Sequence, residues 1–284
     1  MPELPEVEIG SRHLRSWLRG RRIIAARADK SRVIRGQGPQ RFAELAGHRL
    51  LGIDRVGKWM LLRFDGGEGL VSHLGMTGKW IRRRLSQPRP PHARATLELE
   101  DGNAVDYRDP RLFGRLIRGK IDDLRQLPTL RALGPDPLPR VDVDRLHAVL
   151  SRTRRSLKEA LMDQRTLAGL GNIYVSEALH RAQLHPRRRG ASLSREETER
   201  LAHAVVAALR AGLRDEDSPE PITYVEEGGR NIFRVYGREG QPCLVCGGLI
   251  RRIVQGGRST FFCPSCQPAR RSAAVKGSKR ARVA

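Results

Sequence analysis

Four cysteines near the C-terminus limit what this part of the chain can fold into. Cys243 and Cys246 are separated by two residues, sixteen residues follow, and Cys263 and Cys266 repeat the first spacing. Two such pairs predict a zinc ribbon, in which four thiolates complete a tetrahedron and leave no open position. Two disulfides are the alternative, but we find no secretory leader, and disulfides are typical of oxidising compartments. We therefore expect one structural zinc ion per chain.

The charge of the chain indicates its class of partner. Lys and Arg number 54 against 31 Asp and Glu, a formal net charge of +23. Nucleic acid is the first candidate, because each phosphate that a cation neutralises releases counterions. An anionic membrane surface is the second, but we find neither a basic amphipathic helix with an aromatic apolar face nor a run long enough to span a bilayer. The expected location is the cytoplasm, with no membrane partner.

Hydrophobic periodicity divides the chain into parts of different secondary structure. A helix is predicted over residues 6–19, and six short apolar or alternating runs indicate strands: Ile23–Ala25, Leu50–Val56, Trp59–Phe64, Leu70–Leu74, Ala95–Leu99 and Ala104–Tyr107. Asp65-Gly66 and Asp101-Gly102 predict hairpin turns, and Ser194 with Glu197 predicts the capping box of a later helix. In the cysteine module, Arg258 is expected near the exposed tip of a hairpin. Gly134–Pro139 holds three prolines and marks a domain boundary, after which helical patterns dominate. The predicted parts are a sheet-rich domain at 1–134, a helical domain at 135–231, the cysteine module at 232–267 and a disordered basic tail at 268–284.

The N-terminus carries groups that could take part in a chemical reaction. If Met1 is removed, Pro2 presents a free secondary amine beside two acids, Glu3 and Glu6. An amine next to carboxyl groups is a nucleophile with proton-transfer partners. Taken alone, the same start is more typical of an ordinary terminus without function. Glu6 at the start of a helix is equally typical of simple helix capping.

Six motifs occur together and in register, and this combination resembles the formamidopyrimidine-DNA glycosylase and endonuclease VIII family of base-excision repair. The resemblance covers roughly residues 1–267 and implies an α+β multidomain fold. Its parts are an N-terminal β-sandwich with flanking helices, a helix–two-turn–helix domain and a C-terminal zinc ribbon. The motifs are Pro2–Glu8, Gly57-Lys58, His73–Met76, Asp109–Gly114, Leu170–Tyr174 and the cysteine ribbon with Arg258.

The resemblance implies a bifunctional DNA glycosylase and abasic-site lyase, and it assigns the catalytic roles. Pro2 would attack the sugar C1′ atom and form a Schiff base that breaks down by β,δ-elimination. Glu3 would be the acid that protonates the sugar ring oxygen. Glu6 would orient the terminus, and Lys58 would contact the phosphates beside the lesion, although a lone lysine at a strand start is more often solvated.

The resemblance also assigns side chains to the DNA, because a base must leave the helix to reach Pro2. Met76, Arg111 and Phe113 would fill the gap, although a lone methionine or phenylalanine such as Met76 or Phe113 is more often a core residue. A phosphate cradle is implied at Asn172, for which an N-cap is the alternative. The remaining implied contacts are His73, for which a structural role is as well supported, and Arg258 on the ribbon.

Lesion choice stays open, because the segment Asp215–Gly229 has six acids and no lysine or arginine. Family members that favour 8-oxoguanine often carry a lysine here, whereas this chain has Tyr224 near that place. Formamidopyrimidines, 8-oxoguanine or, as in endonuclease VIII, oxidised pyrimidines remain candidate substrates. A non-catalytic zinc-ribbon protein that binds damaged DNA is the alternative of another class. Either way, we expect a nucleoid-associated monomer on damaged double-stranded DNA.

Overall fold

The computed structural model describes residues 2–36, 38–215 and 231–269. After a first helix, α1 (Leu4–Leu18), eight strands form two four-stranded antiparallel sheets. The sheet orders are β1-β6-β7-β5 and β2-β3-β4-β8. Their bounds are Ile23–Ala28 (β1), Leu50–Val56 (β2), Trp59–Phe64 (β3), Glu68–His73 (β4), Lys79–Arg84 (β5), Ala93–Leu99 (β6), Asn103–Arg108 (β7) and Arg115–Lys120 (β8).

The two sheets bury one shared core, which confirms the predicted β-sandwich. Side chains from both sheets and from α1 meet in this core, among them Leu14, Leu62 and Leu97. Two Asp-Gly turns close the hairpins as predicted: Gly66 lies between β3 and β4 with a φ of 64°, and Gly102 lies between β6 and β7 with a φ of 76°. Positive φ angles favour glycine at both turns.

Helices dominate the second part of the described chain. Its helices are α5 (Val143–Ser151), α6 (Leu157–Met162), α7 (Asn172–Arg181) and α8 (Arg195–Asp215). Three short helices lie earlier in the chain: α2 (Pro39–Ala43) between β1 and β2, and α3 (Ile121–Arg125) and α4 (Pro128–Arg131) after β8. The predicted capping box of α8 is present, because Glu197 N donates to Ser194 Oγ and Ser194 N donates to the Glu197 carboxylate. Among the described residues, no helix is both long and apolar enough to cross a membrane.

The cysteine module contains one hairpin of two strands, β9 (Arg251–Gln255) and β10 (Arg258–Phe262). Arg258 is exposed at the start of β10, beside the tip, as predicted. The candidate Tyr224 and the basic tail beyond residue 269 lie outside the described residues. The predicted domain boundaries remain predictions.

Arg55 fastens the sheet domain to the helical domain. Its guanidinium lies 2.7 Å from a Glu8 carboxylate oxygen on α1 and 2.5 Å from an Asp136 oxygen in the Pro-rich connection. The backbone N–H of Leu4 donates to Gly169 O at 3.1 Å. The first turn of α1 therefore rests against the helical domain, and the chain terminus is brought to the junction between the two domains.

Candidate active site

The carboxylate of Glu3 is held by the N-terminus of α7, in the other domain. It is fully buried and accepts hydrogen bonds from Ile173 N at 2.8 Å and Tyr174 N at 3.2 Å. Free N–H groups at a helix start favour an anion. A Cβ on Gly171 would lie 2.5 Å from Glu3 Cδ, so this approach requires glycine. Pro2, which is also buried, is fixed beside this carboxylate.

Glu6 is a second buried carboxyl group in the same first turn. It accepts a hydrogen bond from Glu3 N at 2.7 Å, and the Tyr174 hydroxyl lies 3.0 Å from its other oxygen. Burial, and then repulsion from the Glu3 carboxylate, raise the pKa of Glu6 to about 7. The bond from Glu3 N is the capping-box contact of α1, which confirms the alternative that Glu6 caps the helix. Because of its raised pKa, Glu6 also takes up a proton near neutral pH.

The raised pKa of Glu6 predicts a pH-dependent stability that Glu6→Gln removes. The folded state binds this proton more tightly than the unfolded state, whose ordinary pKa is 4.5. The free energy of unfolding should therefore fall as the pH rises from about 4.5 through 7. Glu6→Gln mimics the protonated form and should stabilise the protein by roughly 1–3 kcal/mol at pH 8, with little effect at pH 5. Denaturant unfolding at both pH values measures this, and an equal effect at the two would contradict it.

Lys58 is brought to the same place by the turn between β2 and β3. A Cβ on Gly171 would lie 2.6 Å from Lys58 Nζ, so the ammonium group lies over the glycine that Glu3 also approaches. Burial lowers the pKa of Lys58, opposed by Glu3 and Glu6 and assisted by Arg258. Lys58 thus faces carboxylates from its own domain and a guanidinium from the ribbon.

Lys158 is a site residue that the sequence analysis missed. It is fully buried, and its Nζ donates to Ser259 O at 3.0 Å and to Thr260 Oγ1 at 2.6 Å. The pKa of Lys158 is lowered to about 8, mainly by burial, with Glu3 opposing the shift and Arg258 adding to it. A single lysine in the apolar pattern of α6 was the only signal for it. Lys158 holds the ribbon hairpin against the helical domain.

Asn172 also contacts the ribbon hairpin. Its Nδ2 donates to Ser259 O at 2.9 Å, and its buried Oδ1 has no hydrogen-bond partner among the described residues. The N-cap of α7 is Gly171, so the alternative prediction of an Asn172 N-cap is wrong. The side chain instead lies between the start of α7 and the hairpin that carries Arg258.

The predicted gap-filling residues lie on two adjacent turns. Met76 is half-buried, Arg111 is exposed and Phe113 is 47% exposed, so the alternative core placement is wrong for Phe113. Arg111 Cζ lies 5.2 Å from the centre of the Phe113 ring. Leu112, between them, turns inward with a φ of 59° and packs on the sandwich core. The chain therefore presents Arg111 and Phe113 outward together.

Asp109 is a second residue whose role the sequence analysis missed, because it ties the two turns together. Its carboxylate is fully buried and accepts hydrogen bonds from Thr77 Oγ1 at 2.8 Å, Arg111 N at 3.2 Å and Gly114 N at 2.7 Å. A Cβ on Gly75 would lie 2.4 Å from the Phe113 carbonyl carbon, so the turns touch through their backbones. The Asp109 carboxylate and this backbone contact therefore hold the two turns against each other.

His73 supports the turn that precedes Met76. Its Nδ1 accepts a hydrogen bond from Gly75 N at 3.0 Å, and its ring packs 4.5 Å from Trp59, next to Lys58. Burial, and then the charges of Lys58 and Arg115, lower the pKa of His73 to about 4. The ring is neutral at physiological pH, which favours a structural role over an ionic phosphate contact.

The four cysteines form a separate cluster in the ribbon. None is in a disulfide, so that alternative is wrong, and the four sulfurs lie within 4.8 Å of one another. Cys243 Sγ lies 3.9 Å from Cys266 Sγ, and Cys246 Sγ lies 3.4 Å from Cys263 Sγ. Tetrahedral metal–sulfur bonds of about 2.3 Å place sulfurs roughly 3.8 Å apart. The cluster fits a closed, structural metal site.

Three parts of the chain thus meet at the start of α7: the first turn of α1 with Glu3, the turn that carries Lys58, and the ribbon hairpin that Asn172 contacts. Family models match in the same order, as the formamidopyrimidine-DNA glycosylase N-terminal domain over residues 1–116, its H2TH domain over 133–220 and a zinc finger found in FPG and IleRS over 240–269. This combination of fold and site defines a DNA repair glycosylase with abasic-site lyase activity.

Similar proteins extend over nearly the whole chain. The formamidopyrimidine-DNA glycosylases of Thermus thermophilus and Azorhizobium caulinodans are each 41% identical, over 94% of this chain and 98% and 100% of theirs. The crystal structure of the MutM (Fpg) protein from Thermus thermophilus has a TM-score of 0.80 at 39% identity, covering 94% of this chain and 98% of that one. The chain belongs to the formamidopyrimidine-DNA glycosylase family.

A Lactococcus lactis Fpg was solved in a complex with FAPY-dG-containing DNA, and its structure is also similar. It has a TM-score of 0.85 at 31% identity and covers 94% of this chain and 100% of that one. The same protein was solved with abasic-site DNA and with DNA containing an oxidised pyrimidine.

Proposed function

We propose that Pro2, freed of Met1, excises the damaged base through a covalent Schiff base. The amine nitrogen attacks C1′ as the C1′–base bond breaks, and the ring-opened sugar becomes a cationic iminium. That charge acidifies the C2′ proton, so its loss expels the 3′ phosphate and a second elimination expels the 5′ phosphate. A terminal amine titrates near ~8 and a lysine near ~10.4, so it is unprotonated roughly 250 times more often at neutral pH.

This proposal rests on one observation, which is that the N-terminus of α7 binds the Glu3 carboxylate. The two N–H groups that hold the carboxylate fix the residue directly after Pro2 at the junction of two domains. In this proposal Glu3, the residue next to the amine, gives a proton to the sugar ring oxygen and later moves protons during elimination. Glu6 orients the backbone of Glu3 through its 2.7 Å hydrogen bond.

We propose that the protein binds damaged double-stranded DNA as a monomer. It would act in the cytoplasm, in association with the nucleoid. Three side chains near Glu3, each from a different part of the chain, would contact the phosphates that flank the lesion. They are Lys58, Asn172 and Arg258. The Lactococcus lactis structures with damaged DNA support this partner. Because one chain supplies nucleophile, wedge and ribbon, a monomer is sufficient.

Phe113 is proposed to wedge into the base step that the lesion leaves. Phe113→Ala should change stability by no more than about 0.5 kcal/mol, because the ring is nearly half exposed. Excision from a duplex should slow by roughly tenfold or more, because unstacking a base step costs a few kcal/mol. Single-turnover excision measures this, and a lesion in an unpaired bulge should be processed at nearly the normal rate.

Leu249→Ala is the matched control for the wedge, because Leu249 is also a large exposed apolar residue but lies on the cysteine module. It should leave excision unchanged. Equal losses on duplex and bulge, or an equal loss in Leu249→Ala, would contradict a wedge.

We propose formamidopyrimidines as substrates, with 8-oxoguanine and oxidised pyrimidines open as further ones. The Lactococcus lactis relative was solved with both FAPY-dG and an oxidised pyrimidine in DNA. The absence of lysine from Asp215–Gly229 favours a preference different from that of a strict 8-oxoguanine enzyme. A cleavage panel of oxidised bases in one duplex context tests this, and 8-oxoguanine cleaved as well as or better than every other base would refute it.

We propose zinc as the metal of the four-cysteine cluster. A set of four thiolates selects soft or borderline metals, and zinc accepts the tetrahedral geometry without preference of its own. Zinc there would hold the hairpin that carries Arg258 and would take no part in the reaction. Metal analysis of the purified protein tests this, with one zinc per chain expected.

Borohydride trapping on abasic duplex tests the proposed chemistry as a whole. An iminium is reduced to a stable amine, so protein and DNA should migrate together on a denaturing gel. No trapped complex from protein whose mass proves that Met1 is absent would favour the alternative of a non-catalytic protein that binds damaged DNA.

A further inference from the structure

Helix α7 extends from the catalytic terminus to the cysteine cluster. Its first N–H groups hold Glu3, and near its far end the buried carboxylate of Glu177 holds the chain that enters the ribbon. Glu177 accepts hydrogen bonds from the N–H groups of three consecutive residues, Arg234, Val235 and Tyr236, at 2.9–3.1 Å. Ten residues of helix span about 15 Å, so α7 is a direct mechanical link between the two centres.

His180, one turn from Glu177 toward the end of α7, makes the last contact of this link. Its ring is 3% exposed, and its Nε2 lies 3.4 Å from Cys243 Sγ, which is also 3% exposed. The other ring nitrogen, Nδ1, is buried and has no hydrogen-bond partner among the described residues. A neutral imidazole has one N–H and one lone pair. A buried N–H without a partner is costly, so the proton belongs on Nε2, aimed at the sulfur.

His180 is not a ligand in the cluster. Four thiolates already complete a tetrahedron, and only the four cysteines form a group of metal-binding side chains among the described residues. A nitrogen that donates its proton to a sulfur has no lone pair for a metal. The ring therefore acts on the sulfur, and through it on the metal.

We propose that His180 is a positioning residue of the metal centre, where its Nε2–H donates to the Cys243 thiolate and fastens the ribbon to α7. The inference rests on the proposed zinc site. A hydrogen bond to a metal-bound thiolate orients the ligand and spreads its charge, and losing such a partner typically weakens metal binding by about 10–100-fold. The same bond keeps the hairpin with Arg258 in register with Asn172 and Glu3.

The test compares two substitutions at His180 in the full-length zinc protein. His180→Phe fills the space without a donor, whereas His180→Gln keeps an N–H within reach of the sulfur. Zinc affinity is measured by competition with a chromophoric chelator, and the rate of thiol alkylation is measured in parallel. We expect His180→Phe to bind zinc about 10–100-fold more weakly, with faster alkylation of Cys243, and His180→Gln to restore most of the loss. His203→Phe, at an exposed position on α8, is the control and should match the wild type.

The possible results distinguish a failure of the zinc assignment from a failure of the role proposed for His180. Wild-type protein with no bound zinc would overturn both. Stoichiometric zinc with unchanged affinity in His180→Phe would overturn only the role of His180. An equal loss in His180→Gln and His180→Phe would do the same, because the donor would then not be the cause.

Discussion

Glu3→Gln is expected to slow base excision by about 10²–10⁴-fold, the usual contribution of a general acid. An amide keeps the shape of the side chain but has no proton to give to the sugar ring oxygen. Affinity for damaged duplex should be retained and should still weaken with salt, because the phosphate contacts proposed above are those of Lys58, Asn172 and Arg258 and do not include Glu3. Single-turnover excision with saturating enzyme measures the loss, and binding of duplex at several salt concentrations measures the affinity.

The same substitution also has a structural cost, which the experiment must separate from chemistry. Both carboxylate oxygens of Glu3 accept N–H groups of α7, and the amide nitrogen of glutamine faces one of them with no lone pair. Leaving a buried donor unsatisfied costs about 1–3 kcal/mol. We therefore expect a lower melting temperature in addition to the slower reaction.

Glu8→Gln is the matched control, because it changes the same residue type on the same helix outside the site. Glu8 pairs with Arg55 and Arg12 and makes no contact with Glu3 or Glu6 among the hydrogen bonds of the described chain. The Glu8→Gln variant should be less stable than the wild type but should excise the damaged base at the normal rate. If Glu8→Gln slows excision as much as Glu3→Gln, the loss is one of stability; if Glu3→Gln excises normally, the acid role is wrong.

The strands that the sequence predicted differ in a physical way from those it missed. Leu50–Val56 and Trp59–Phe64 were predicted with their observed bounds, because their apolar side chains are numerous. Lys79–Arg84 and Arg115–Lys120 were missed as strands, because Lys and Arg make up four of the six residues in the first and three of the six in the second. Both lie at the edge of a sheet, where strands are often charged, but Leu50–Val56 also lies at an edge, so the charge of the two strands and not their position hides the period of two.

The residues of the candidate site also divide into those that the sequence identified and those that it missed. The family resemblance singled out Glu3, Lys58 and Asn172, and the structure brings them together at the start of α7. The roles of Asp109 and Lys158 did not follow from the sequence, because each depends on partners that only the fold supplies. Asp109 joins two turns more than thirty residues apart, and Lys158 binds a hairpin about a hundred residues away. The raised pKa of Glu6 likewise requires burial that no local pattern reports.

A chain with extra residues before Pro2 is expected to lose the covalent reaction completely. In such a chain the nitrogen of Pro2 is an amide, whose lone pair is delocalised and which cannot attack C1′ or form an iminium. The protein is made with an N-terminal extension that a site-specific protease removes to leave Pro2 first. Borohydride trapping and strand cleavage on abasic duplex are measured before and after the cut.

The uncut protein is its own control, because every other residue is identical. Its zinc content should be unchanged, and it should keep a salt-sensitive affinity for duplex, since the basic side chains of the helical domain and ribbon are intact. Both activities should appear on cleavage in proportion to the fraction of chains that begin with Pro2, as measured by mass. Because the cut changes only one nitrogen from amide to amine, this proportionality would attribute the chemistry to Pro2. Full activity in uncut protein would exclude the terminal amine as nucleophile and leave a lysine near Glu3 as the candidate.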